Sequence, residues 1–214
     1  DRGGKKSRNG GQRMAPRLHP DCKWPCRRAG PSPDTGKVAA ALLTNNGELI
    51  DYLEVIGNRQ PLKNKSAPYI AIPTTAGTGS EVTRTAVFTG LDRRKVWAWG
   101  NELAADLVIL DPELTLTLPI SMTAATGLDA MVHAIEACTV KSSNPLVQAF
   151  GLQAIRLGTQ NLKRSIARPE DLDARGKLLM ASTLAGMAID ATGTGIAHAI
   201  GHALGTVAGI NHGR

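Results

Sequence analysis

The sequence lacks a disulfide framework, a membrane-length apolar run and any internal repeat. Its three cysteines are an odd, sparse set among 214 residues, which fits a reducing compartment and a cytoplasmic protein. No uninterrupted apolar stretch approaches the ~20 residues of a membrane span, and the charged, Gly-rich start carries no apolar core of a signal peptide. Net charge is also missing from most of the chain. The overall balance is +7, yet residues 1–28 hold nine Lys/Arg against two acids, and the remaining 186 residues hold sixteen of each sign. Basicity confined to a tail points to neither a nucleic-acid face nor a membrane surface. Residues 1–33 are nearly devoid of Val, Ile and Leu and rich in Gly, Pro and Arg, a composition that cannot offset its ordering entropy, so a disordered tail is expected. Two motifs fail there. His19, Cys22 and Cys26 lack a fourth zinc ligand and a recognised spacing. Gly30 to Lys37 puts five residues where a P-loop has four, and Val38 stands where its Ser/Thr would be.

What remains is ample for one large domain or two small ones. Residues 34–46 read as a helix entered through Asp34 or Thr35. Tyr69–Pro73 and Leu107–Pro112 read as short buried strands. Thr83–Thr89 and Lys95–Trp99 alternate like a hairpin across Gly90-Leu91-Asp92. From Ser121 the period becomes helical, with helices over Thr123–Cys138, Asn144–Ile166 (Asn144-Pro145 as cap and first residue), Glu170–Ile189 and Gly195–Val207. The order implies an α/β part over residues 34–117, followed by an all-helical part over 118–214.

Candidate chemistry concentrates between Gly127 and Gly213, which hold four of the five histidines. Asp129 and His133 are four residues apart, as are His198 and His202. On a helix that spacing stacks side chains one turn apart on one face. One carboxylate with two or three imidazoles suits a first-row divalent metal; a buried Asp–His hydrogen-bond network is the plainer alternative. After the first strand, Thr74-Thr75-Ala76-Gly77-Thr78-Gly79-Ser80 offers small hydroxyls and glycines whose backbone N–H groups can approach a phosphate.

Gly127-Leu128-Asp129-Ala-x-x-His133-Ala-Ile-Glu136, His198-x3-His202-x-x-Gly205, His212-Gly213 and Tyr69-Ile-Ala-Ile-Pro73-Thr-Thr-Ala-Gly-Thr-Gly-Ser-Glu81-Val-Thr83 together resemble the signatures of the iron-containing (group III) alcohol dehydrogenase family. The match runs from about residue 34 to the end. The resemblance implies an incomplete dinucleotide-binding domain and an incomplete helical domain of the dehydroquinate synthase-like architecture. It implies Asp129, His133, His198 and His212 as metal ligands, holding iron(II) or zinc, and His202 as a proton donor or relay. Asp34, Thr74, Thr75, Gly77, Thr78 and Lys95 would bind NAD or NADP, although Lys95 also reads as one of a solvated basic cluster with Arg93 and Arg94. The implied reaction interconverts an alcohol and an aldehyde or ketone by hydride transfer. The partner is then a small alcohol or aldehyde, with neither nucleic acid nor membrane, and a homo-oligomer is compatible with the reading. A dehydroquinate synthase-like, metal- and NAD-dependent lyase and an inactive fragment stay open beside it. At Gly30-Pro-Ser-Pro-Asp34-Thr-Gly-Lys37 two glycines of the family pattern are missing. The family's earlier strands and helices and its later helical part are absent too. The expectation is a fragment whose first 33 residues are disordered or read out of frame.

Overall fold

Helix starts and stops follow local side-chain chemistry, and they set where the later elements meet. The computed structural model describes residues 33–89 and 95–208. The expected tail (but for Pro33), the turn at Gly90-Leu91-Asp92 and His212 lie outside them. In chain order the elements are α1 (Pro33–Thr44), α2 (Leu49–Tyr52), β1 (Ile70–Ala71), β2 (Thr85–Thr89), β3 (Lys95–Trp99) and β4 (Leu107–Val108), then α3 (Ile120–Thr139), α4 (Pro145–Ala167), α5 (Leu172–Thr192) and α6 (Ile196–Ala208). Short 3-10 turns cover Ser80–Val82, Asn101–Leu103 and Pro112–Thr115. An α/β part followed by helices is therefore what folds. No helix among the described residues is long and apolar enough to cross a membrane.

Asn144 caps α4 by accepting from the N–H groups of Leu146 and Val147, with Pro145 at the first helical position, where its missing N–H has no helical partner to lose. Asp171 caps α5 through the N–H of Ala174, so that helix starts two residues after the expected Glu170. Gly193 ends α5 at φ 77°, a left-handed value that glycine adopts without a Cβ penalty. At α1 the expected cap differs. The helix already includes Pro33, which puts Asp34 inside the first turn and turns its carboxylate to a tertiary partner.

The strands also differ from expectation. β1 and β4 pair in parallel as two residues each, Ile70 with Leu107 and Ala71 with Val108. Alternate side chains point to opposite faces, so Ala71 is fully buried while Ile70 is 54% exposed. Among the described residues these two strands form a sheet of their own, which covers only one face. The strands expected to be buried are thus only partly so. β2 and β3 pair antiparallel from Thr85–Trp99 to Thr89–Lys95, and Ala86, Val96 and Ala98 pack against Val38, Ala41, Tyr52 and Leu103.

The helical part is built on α3, α4 and α5. Ala130, Ala134, Ala154 and Ala185 meet in one cluster, and Ala137, Val147, Ala188 and Ile189 in the next. Such small side chains allow close helix approach: a Cβ on Gly151 would stand 2.4 Å from Cys138 Sγ. The apolar stripe of α3 is therefore Ala130, Ala134 and Ala137. One residue ahead of each, about 100° around the helix, stand Asp129, His133 and Glu136, all buried. α3 thus carries two adjoining stripes, one that packs and one that is polar.

α5 ties the two parts together. Glu81 accepts the Thr183 hydroxyl at 2.7 Å. Asp190 takes the Arg84 N–H at 2.8 Å and its Nε at 2.7 Å, while the Arg84 guanidinium lies 5.4 Å over the Trp99 ring. Arg175 donates to the Thr115 carbonyl at 2.7 Å. Glu81 is almost fully buried, and burial raises its pKa, outweighing the Thr183 hydrogen bond. The native state then holds a proton at pH values where the unfolded chain has lost it. That contribution is complete below the unfolded pKa and disappears as pH rises through the folded one. Glu81→Gln removes the titration. The stability of the parent relative to this variant is expected to fall as pH rises above the ordinary glutamate range, about 4, as read from urea unfolding of both proteins; a difference constant with pH would contradict a raised pKa.

Candidate metal centre and nucleotide loop

The polar stripe of α3 is completed by α6. Gly193-Thr194-Gly195 link α5 to α6, whose first turn lies against Glu136, and His198 arrives beside Asp129 and His133. An oxygen of Asp129 and one ring nitrogen from each histidine lie within 4.8 Å of one another, and all three residues are buried. His198 Nε2 is 3.4 Å from Asp129 Oδ1. The His133 and His198 rings stack with centroids 4.2 Å apart at 20°. One carboxylate and two imidazoles converging in a buried place match the donor set of a first-row divalent ion.

Behind His198 stands Glu136. Its Oε2 is 2.6 Å from His198 Nδ1 and accepts the Gly195 N–H at 2.8 Å. Its Oε1 accepts the N–H groups of Ala197 at 2.6 Å and His198 at 3.3 Å. Burial opposes charge on both partners. It is outweighed in Glu136 by the Gly195 and His198 hydrogen bonds, which lower its pKa. In His198 the hydrogen bonds to Asp129 and Glu136 likewise prevail and raise the pKa. His202, half-buried, stands outside the group of three, its ring 5.9 Å from that of His198 and nearly perpendicular. His212 lies outside the described residues.

Glu136 belongs to the Gly127–Glu136 signature, but residue type alone gives it no role. Asp129, His133 and Glu136 stand at i, i+4 and i+7, so the helical period already placed all three on one stripe. That was the available signal.

The loop after β1 sits close by on α3. A Cβ on Gly77 would meet Thr126 Cβ at 2.6 Å, and Thr126 precedes Asp129 by less than one turn. Packing alone therefore requires glycine at this position. Gly79 has φ 63°, and a Cβ there would lie 2.5 Å from the Cα of Gly186 in α5, so backbone rests on backbone. Thr74 and Thr75 are half-buried and Thr78 is exposed, its hydroxyl accepting the Ser80 N–H at 3.2 Å. Ser80 donates to Asp34 at 2.5 Å; burial raises the Asp34 pKa against this bond and the nearby Lys37. Lys37 is buried and donates to the carbonyls of Thr83 at 2.7 Å and Thr85 at 2.8 Å, and burial pushes its ammonium down to about 8. Asp34 and Lys37 thus support the loop from below. Lys95 donates to the Thr89 hydroxyl at 3.0 Å across the hairpin.

Residues 123–214 match the family described as Fe-containing alcohol dehydrogenase, C-terminal, and residues 29–112 match iron-containing alcohol dehydrogenase. The chain is 42% identical over 186 residues to choline dehydrogenase of Bacillus subtilis (strain 168), covering 86% of this chain and 46% of that protein. It is 38% identical over 185 residues to the NAD-dependent methanol dehydrogenase of Bacillus methanolicus, covering 86% and 48%. Among solved structures, sulfoacetaldehyde reductase from Bifidobacterium kashiwanohense in complex with NAD+ superposes with a TM-score of 0.79 at 34% identity, over 85% of this chain and 48% of that one. The chain spans about half the length of the curated relatives it matches.

The seating of the loop is open to test. Gly79→Ala combines a left-handed φ with a backbone collision, and each is worth about 1–3 kcal/mol. A loss of at least ~2 kcal/mol, a fall in Tm of about 4 °C or more for a chain of this size, is expected by calorimetry. An unchanged Tm would show that the loop does not rest on α5.

Proposed function

We propose, from the premise that this chain belongs to the iron-containing alcohol dehydrogenase family, that it supplies the metal centre and part of the nucleotide site of an NAD(P)-dependent dehydrogenase. The reaction is interconversion of a small alcohol and its aldehyde or ketone. The observation that supports this most directly is the buried convergence of Asp129, His133 and His198, with the glycine loop packed on α3 less than one turn away.

In this reading Asp129, His133 and His198, with His212 as a fourth ligand, hold a divalent ion. Iron(II) is favoured by the family's name, and zinc is served by the same donors. When bound, the ion supplies Lewis acidity to the reacting oxygen of the substrate. Every other part belongs to the chain. Asp129 contributes the one negative charge of the set, and the imidazoles of His133, His198 and His212 would ligate through neutral nitrogens. His202, an imidazole one turn beyond His198, moves the proton of the alcohol at neutral pH. Thr74, Thr75, Gly77 and Thr78 present hydroxyls and backbone N–H groups to the coenzyme phosphates. Asp34 fixes that loop through Ser80, and Lys95 reaches the nucleotide from the hairpin. NAD is favoured by two similar proteins, the NAD-dependent methanol dehydrogenase and the sulfoacetaldehyde reductase in complex with NAD+; NADP is the other coenzyme in question. A cytoplasmic setting, which keeps a thiol such as Cys138 reduced, completes the proposal.

Metal analysis of the purified chain after anaerobic loading tests the ligand set. One equivalent of iron or zinc is expected, abolished by Asp129→Ala and by His198→Ala and largely retained in His202→Ala. Net NADH consumption with a series of short aldehydes tests the reaction, since a synthase-type lyase returns its coenzyme unchanged. Metal content indifferent to both ligand substitutions would sink the assignment.

A further inference from the structure

We infer that Glu136 is a positioning residue for the metal centre. Its carboxylate selects the His198 tautomer that carries its lone pair on Nε2, the nitrogen beside Asp129, and the same carboxylate seats the first turn of α6. The inference about the metal rests on the proposed function; the inference about the tautomer does not.

Each hydrogen-bonding group placed at the Glu136 carboxylate points the same way. Gly195, Ala197 and His198 bring three backbone N–H groups, which can only donate, and they form the N-terminus of a helix, where the backbone dipoles favour a negative charge. An ionised carboxylate accepts and cannot donate. The fourth contact, 2.6 Å from Oε2 to His198 Nδ1, therefore requires the hydrogen on Nδ1. In a neutral imidazole the lone pair is then on Nε2, which stands 3.4 Å from Asp129 Oδ1.

Two further observations show that the arrangement is built. A Cβ on Gly195 would come within 2.9 Å of Glu136 Oε1 and 3.0 Å of its Cδ, so glycine makes the room this carboxylate occupies. Among the described residues of α6, His198 is the only one buried, while Ile196, Ile200, Leu204 and Val207 are exposed. The helix therefore meets α3 through a polar contact with little apolar burial to hold it. One side chain thus couples the placement of α6 to the readiness of His198.

Glu136→Gln separates these two tasks because an amide can satisfy only half of the donors. With its NH2 toward Gly195 and His198 Nδ1, it forces the imidazole hydrogen onto Nε2. With its oxygen there instead, its NH2 opposes the Ala197 and His198 N–H groups. The first readout is long-range 1H–15N correlation NMR of the metal-free chain, at a pH above the imidazole range. The parent should show His198 as the Nδ1–H tautomer, and the variant a shift toward Nε2–H or a mixture. The second is zinc affinity, expected to fall roughly 10- to 100-fold in Glu136→Gln, the usual range for a lost partner behind a ligand. Gly195→Ala presses on the same carboxylate without removing its charge, and it should weaken zinc in the same direction even if Glu136→Gln does not fold. An Nε2–H tautomer in the parent, or zinc affinity unchanged in both variants, would overturn the inference. A parent that binds no zinc while showing the Nδ1–H tautomer would instead sink the proposed function and leave the tautomer assignment standing.

Discussion

Burying four ionisable side chains between two helices is the constraint on which the rest of this structure turns. Asp129, His133, Glu136 and His198 are each nearly out of solvent, and removing a charge from water costs on the order of several kcal/mol per ion unless partners replace the lost hydration. The compensation is local. Glu136 collects three backbone N–H groups and an imidazole, and His198 stands between two carboxylates. These contacts are charge-assisted, the stronger kind of hydrogen bond, and they do work for α6 that apolar burial does elsewhere. The C-terminal helix of the described chain is thus held by the same groups that make the candidate site.

Such a cluster needs a rigid platform, and α3 provides it through composition. Ala130, Ala134 and Ala137 face α4 and α5, where small side chains bring the helices close, and the polar stripe follows one residue ahead around the axis. Neither stripe can rotate without exposing the other. The loop after β1 is fixed on the same platform by Gly77 against Thr126 and by Gly79 against Gly186. α5 then connects the two parts through Thr183, Asp190 and Arg175. The loop after β1 and the Asp129–His133 stripe are consequently both referenced to α3, the arrangement that the proposed function calls for.

Much of this was legible because the helix has a simple period. Spacings of four between Asp129 and His133, and between His198 and His202, translate directly into shared faces, and Asn144-Pro145 announces its helix through backbone chemistry alone. What the spacing could not carry was the distance between elements. That His198 meets Asp129 while His202 stands apart depends on the Gly193–Gly195 turn, a tertiary fact. The strands were harder for a related reason. Ile70, Ile72, Leu107 and Ile109 look like buried positions by composition, but burial of a strand face depends on what covers it, and these four are exposed. Asp34 shows the same limit at α1: an acidic residue near a helix start reads as a cap, and only the approach of Ser80 reveals its other partner.

The contrast between the two buried charged clusters argues for where chemistry belongs. Around Lys37 the partners are backbone and hydroxyl oxygens of Thr83 and Thr85; Asp34 accepts Ser80 and Glu81 accepts Thr183. Those contacts strap one element to another, and their geometry is explained by the strap. Around Asp129 the contacts have a different shape. One oxygen and two ring nitrogens approach a common region, and two imidazoles stack at 4.2 Å in a place where aliphatic side chains would pack with less desolvation. As packing that choice carries a desolvation cost, and it is the donor set that the proposed cation site calls for. The backing of His198 by Glu136 sharpens the point, because directing the lone pair of one nitrogen matters only if something is to be bound there.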